Sequence, residues 1–108
     1  MYIEPNIKSS YNKYNIGKTI YDIIFEKKPV NVLEFGVLHG YSTICIGQAL
    51  RDIGSGTLTS YDLFEEYQYN NSVKDIVYHN LKYYGLDEYV TVQSVVSPVT
   101  SVNCSFSL

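Results

Sequence analysis

The chain contains no tryptophan, one methionine, three prolines and only two cysteines in 108 residues. Cys45 and Cys104 lie far apart and form no C-x-x-C pair, which removes the usual signatures of a zinc site or a disulfide framework. No metal is therefore expected. No apolar run approaches the roughly 20 residues that a membrane-spanning helix requires, so no membrane partner is expected. The N-terminus, MYIEPNIKSS, lacks the basic start and apolar core of a secretory signal. Basic side chains are also scarce, 8 against 11 acidic ones for a net charge of −3. A nucleic-acid backbone, which recruits clustered Lys and Arg, is accordingly not an expected partner. These absences leave a soluble, cytoplasmic chain as the expectation.

What is present argues for a folded chain. Hydrophobic residues make up 45% and charged residues 18%, with 12 tyrosines, a balance that supports a packed core. Charge is unevenly spread. Lys8, Lys13, Lys18, Lys27 and Lys28 all precede Pro29, as expected of a solvated helix face.

Periodicity divides the chain into alternating elements. Ile16, Ile20, Ile23 and Ile24 recur at helical spacing behind Ser9 and Ser10, which can serve as caps, and Pro29 ends that helix. Val30 to Phe35 reads as a strand buried on both faces. Tyr41 to Ile53 carries Ile46, Ala49, Leu50 and Ile53 on one helical face, with Gly54 at the position of a C-terminal cap. Thr57 to Asp62 reads as a second strand. Ser72 opens a third helix with Asp75 in capping-box position, its stripe running through Val73, Ile76, Val77, Leu81 and Tyr84 to Gly85. Tyr89 to Val96 is a third strand.

The order helix, strand, helix, strand, helix, strand predicts an α/β fold with a parallel sheet and right-handed crossovers. It divides into an N-terminal helical region over 1–28, three strand–helix units over 30–96, and a tail over 97–108. The tail is irregular or holds one short strand.

Residues 32–43 carry the chemistry. A buried strand ends in Glu34 and Phe35, turns through Gly36 and Gly40, and enters a helix at Tyr41. Gly36 permits a tight turn and close approach of a ligand to the backbone, and Gly40 permits close helix–strand packing. The start of the helix offers free N–H groups to an anion, and Ser42 adds a hydroxyl. Asp62 ends the second strand, 22 residues after Gly40. An acid roughly 20 residues beyond such a turn is placed to accept ribose hydroxyls.

The run Leu33-Glu34-Phe35-Gly36-Val37-Leu38-His39-Gly40-Tyr41-Ser42 resembles motif I of class I S-adenosylmethionine-dependent methyltransferases. The likeness is to small-molecule O-methyltransferases of the catechol type and to sugar and antibiotic O-methyltransferases, and it covers about residues 16 to 94. The resemblance implies a Rossmann-like three-layer α/β/α fold with a partial sheet of about three strands in order 3-2-1. It implies S-adenosylmethionine as cofactor, with Glu34 near its methionine end and Gly36, Val37, Leu38 and Gly40 shaping the loop beneath. Ser42 would hold the carboxylate, Asp62 the ribose, and Leu63 the adenine. The acceptor would be a small-molecule or sugar hydroxyl. The family's fourth strand, with its aspartate, and the acceptor pocket have no counterpart in the sequence. The chain is thus expected to be the cofactor half only, truncated before the fourth strand and inactive alone. The exposed edge of the first strand is then open to the apolar tail or to self-association. Two alternatives stand beside this reading: a non-catalytic Rossmann-like module, and a nicotinamide-binding domain, which usually keeps G-x-G-x-x-G spacing.

Overall fold

Parallel register sets the architecture. In the computed structural model, which describes residues 1–37, 40–62, 74–94 and 106–107, β1 (Asn31–Phe35), β2 (Thr57–Asp62) and β3 (Val90–Ser94) run side by side. Val32 pairs with Leu58 and Leu58 with Val90. Because side chains alternate along a strand, these three residues form one row on one face, followed by a row of Glu34, Ser60 and Val92. Helices α1 (Ile16–Lys27), α2 (Tyr41–Ile53) and α3 (Lys74–Tyr83) complete that layer. Ile24 of α1, Ile44, Ile46, Ala49 and Leu50 of α2, and Val77 and Leu81 of α3 join Val32, Leu58, Val90 and Val92 in one core. Each fully buried side chain of this size contributes about 1.5–3 kcal/mol. The described helices share this face of the open sheet, and Leu33, Thr59 and Thr91 stand in a row on the other.

The boundaries of α2 and β2 coincide with those the sequence predicts, and β1 and β3 fall within their predicted spans. Two expectations need correction. Ser9 caps a separate 3-10 turn, Ser10–Asn12, with its hydroxyl accepting from Tyr11 N–H at 3.1 Å and Asn12 Oδ1 accepting from Ser9 N–H at 2.7 Å. Left-handed Tyr14 and Asn15 then break the chain before α1 begins. Second, the buried stripe of α1 is Gly17, Tyr21 and Ile24, while Ile23 is exposed. Ile16 and Ile20 lie one residue round the helix and are half-buried; Ile76 of α3 is likewise exposed beside buried Val77. The three strands stand in the expected order, and Phe106–Ser107 of the tail forms a short fourth parallel strand, β4, giving the order β3-β2-β1-β4. It pairs with Val32 and Leu33 at the edge of β1 that the three-strand expectation leaves open. Ser72 and Val73, Val95 and Val96, and most of the tail lie outside the described residues. No described helix is long and apolar enough to cross a membrane.

The first twelve residues strap the helices together. Gln48, 1% exposed, accepts from Ile3 N–H and donates to Ile3 C=O, both at 2.7 Å. Glu4 accepts hydrogen bonds from Tyr2 (2.5 Å), from Tyr41, and from Asn12 Nδ2 (3.3 Å). Asp52 gathers the Met1 ammonium at 2.7 Å, the Tyr21 hydroxyl at 2.6 Å and Arg51 Nε at 3.2 Å. Tyr84 Oη accepts from Asn6 N–H at 2.8 Å. Cys45, beneath the strap, is fully buried, and burial pushes its thiol up to about 12, so it behaves as a small neutral hydrophobe.

The strap makes stability depend on acid. Partial burial raises the carboxyls of Glu4 and Asp52, and the hydrogen bonds they accept outweigh it, holding both below the usual carboxylate range. A carboxyl depressed in the folded state stabilises the fold above its unfolded pKa, and that contribution fades as pH falls through the folded one. Urea midpoints should therefore be flat from pH 7 to about 5 and fall below about pH 4.5. Asp52→Asn should flatten the fall; equal slopes for both proteins would contradict this role.

Candidate cofactor-binding site

The site is built where β1 and β2 end side by side. Gly36 N–H donates to Tyr61 C=O at 2.8 Å, and Asp62 is the next residue of β2. The backbone at the start of the glycine turn and the backbone at the acid are thus neighbours at the carboxyl end of the sheet, where ligands of open α/β folds sit. Gly36 has a φ of +87°, and a Cβ built there meets nothing within 4 Å. The turn thus needs glycine for its conformation and leaves open space over the backbone. Gly40, the N-cap of α2, also has positive φ, at +95°. A Cβ there would touch Val77 of α3 at 3.5 Å, an ordinary contact. Conformation rather than the expected helix–strand packing accounts for glycine at position 40.

Beneath the turn lies a carboxylate that is almost fully enclosed. Glu34 is 3% exposed and accepts hydrogen bonds from Ser42 Oγ, from Thr43 Oγ1 at 2.5 Å and from Ser60 Oγ at 2.9 Å. Burying a carboxylate is costly unless hydrogen bonds replace its hydration, and three hydroxyls do so here. They come from the first turn of α2 and the middle of β2, so Glu34 ties three elements together at the mouth of the site.

Ser42 Oγ donates to the Glu34 carboxylate beneath the turn. The N–H groups of the first helical turn, which have no intrahelical acceptor, are the donors α2 offers there. Val37 is 3% exposed and belongs to the core while lining a recess beside the turn. Leu38, His39 and Leu63 lie outside the described residues; Asp62 is placed by its backbone alone.

Two recesses open beside the turn. One, of about 350 Å³, is bounded by Glu34, Phe35, Gly36 and Ser42 and faced by Tyr11, Ile16 and Ile20. The other, of about 160 Å³, has Gly36, Val37, Tyr41 and Ser42 on one side and residues 7–11 on the other. Thr43, Ser60 and the N-terminal wall escaped the sequence reading. Ser60 had a signal: a hydroxyl residue two positions from Leu58 and so on the same, buried face of β2.

Among the described residues, no cluster of three or more His, Cys, Asp or Glu side chains could hold a metal. Residues 33–102 match a family model described as a methyltransferase domain. A search of functionally curated proteins finds no match. Several solved structures are similar. An O-methyltransferase from Bacillus cereus, in complex with SAH, is 26% identical with a TM-score of 0.62, over 84% of this chain and 36% of that one. SAH-bound methyltransferase PaMTH1 from Podospora anserina is 18% identical, TM-score 0.62, over 85% and 34%. O-methyltransferase TomG from Streptomyces achromogenes, in complex with SAM, is 19% identical, TM-score 0.61, over 90% and 43%. The chain thus spans well under half the length of these proteins and shares their Rossmann-like α/β fold. Since the matched residues 33–102 form well over half of its length, the chain belongs to the methyltransferase-domain family.

Proposed function

We propose that this chain binds S-adenosylmethionine and forms the cofactor-binding part of an O-methyltransferase acting on a small-molecule or sugar hydroxyl. The observation that carries the reading is the enclosed carboxylate of Glu34 beneath an open glycine turn, one backbone neighbour away from Asp62. Bound there, the cofactor supplies an electrophilic methyl group on a sulfonium centre. The chain's own residues bind and orient it. Gly36, Val37, Leu38 and Gly40 form the floor and the first turn of α2 presents N–H donors. Asp62 accepts from the ribose, and Leu63 packs on the adenine. Glu34 and its hydroxyl partners, Ser42 among them, hold the turn in shape and place negative charge near the cationic arm.

Methyl transfer also needs an acceptor pocket and a group to take the hydroxyl proton, and none of the residues assigned here serves either purpose. We therefore expect residues 1–108 to bind cofactor without turnover. Calorimetric titration of the purified chain with SAH and with NADH tests the reading. One-to-one binding of SAH and none of NADH is expected. Binding of NADH alone would replace the reading with the nicotinamide one, and binding of neither would leave a non-catalytic module.

A further inference from the structure

A third recess, of about 290 Å³, lies between the end of α3 and the N-terminal segment, and none of its lining residues belongs to the glycine turn. His79 and Tyr83 are one helical turn apart, as are Asn80 and Tyr84, so the four lie along one side of α3 and form one wall. Tyr84 N–H still donates to Asn80 C=O at 3.1 Å, and Gly85, with a φ of +70°, then turns the chain away. Asn6 and Ile7 form the opposite wall. That wall is pinned to the first: Asn6 N–H donates to Tyr84 Oη at 2.8 Å. Ile7 packs against the core, and its carbonyl accepts from Asn12 Nδ2 at 3.2 Å. The recess is therefore preformed, which spares a ligand the cost of ordering it.

Its chemistry narrows the ligand. Tyr83 is 77% exposed, and its ring stands at 76° to the Tyr84 ring with 5.0 Å between centroids. The two rings make a corner, with the face of one largely unburied. Among the described residues, no Asp, Glu, Lys or Arg lines the recess, so an ion finds no carboxylate, ammonium or guanidinium to pair with. The polar side chains of the lining residues are carboxamides, phenols and an imidazole, each able to donate and to accept. Hydroxyl groups do the same. We propose that this recess binds one ring of a neutral hexopyranose, its C–H face on the Tyr83 ring and its hydroxyls on His79 and Asn80. A flat base is held best between parallel faces, whereas a chair-shaped ring fills a corner. The volume lies at the small end of ligand sites and suits a single sugar ring. This site is separate from the cofactor site and does not rest on the reading given for it.

The test titrates the isotope-labelled full chain with the methyl α-glycosides of glucose, galactose and mannose, and with adenosine. At least one hexoside should shift the amides of Asn6 and of residues 79–84 with a dissociation constant of about millimolar, the strength available to so small a ligand. Tyr83→Ala should weaken that binding about tenfold through loss of the stacking face, and Tyr83→Phe should stay within about twofold of the parent. No shift with any hexoside would overturn the proposal, as would equal affinity of the parent and a Tyr83→Ala variant of unchanged melting temperature. Adenosine binding at these amides without any hexoside would replace the sugar with a flat ring and equally overturn it. If Tyr83→Ala fails to fold, nuclear Overhauser contacts between the sugar C–H protons and the Tyr83 ring decide, and their absence counts against the site.

Discussion

Glu34→Ala should lower the unfolding free energy by about 2–4 kcal/mol and weaken SAH binding by about 10- to 100-fold. The carboxylate is 3% exposed and receives hydroxyls from Ser42, Thr43 and Ser60, the last two fully buried themselves. Removing the acceptor strands donors in the interior, at about 1–3 kcal/mol for each that finds no other partner. It also opens a void between β1, β2 and α2. Relief from the desolvation of a buried charge offsets part of this, which keeps the net below the sum. Glu34→Gln retains the shape and one acceptor oxygen, while its amide nitrogen requires a hydroxyl to turn round and accept. The loss there should be about 1 kcal/mol. Urea denaturation and calorimetry on the same protein samples separate the two effects. An alanine variant as stable as the parent would show that Glu34 is not the tie described here.

Gly56→Ala should cost about 2–6 kcal/mol, from two causes that add. The residue has a φ of +97°, where a non-glycine side chain carries about 1–3 kcal/mol of strain. A Cβ there would also lie 2.7 Å from the Pro29 carbonyl oxygen and 2.9 Å from Leu50 Cδ2. The carbonyl is backbone and cannot swing away, so the start of β2 must shift from β1, where Thr57 N–H donates to Val30 C=O at 2.9 Å. Overpacking of this kind costs about 1–3 kcal/mol. Gly54→Ala provides the comparison, since it has a φ of +91° but open space around its Cβ; only the strain should appear. Thermal unfolding of both variants checks the difference. Equal losses would mean that the close approach at Gly56 contributes nothing.

The same glycines explain what could be read from the sequence. Gly36, Gly40, Gly54 and Gly56 fence α2 and the strands on either side of it, and this is why Tyr41–Ile53 and Thr57–Asp62 were legible to the residue. Helical stripes were less certain. Both Ile16-Ile20-Ile23 and Gly17-Tyr21-Ile24 recur at i, i+4, i+7, and only packing against α2 selects the second. Ser9 announced a cap correctly but not what it capped, because the turn it starts ends after three residues. Long-range ties such as Glu4 to Tyr41 and Gln48 to Ile3 leave no periodic trace at all. The partners of Glu34 were hidden for a related reason. Thr43 and Ser60 lie 9 and 26 residues away from it, and only the strand register puts Ser60 beside Glu34.

The most direct test of the account is an NMR titration of the isotope-labelled chain with SAH. The amides of Gly36, Gly40, Ser42 and Asp62 should shift together and report a single dissociation constant. Shifts confined to one strand end, or at neither, would show that the glycine turn and Asp62 do not serve a common ligand.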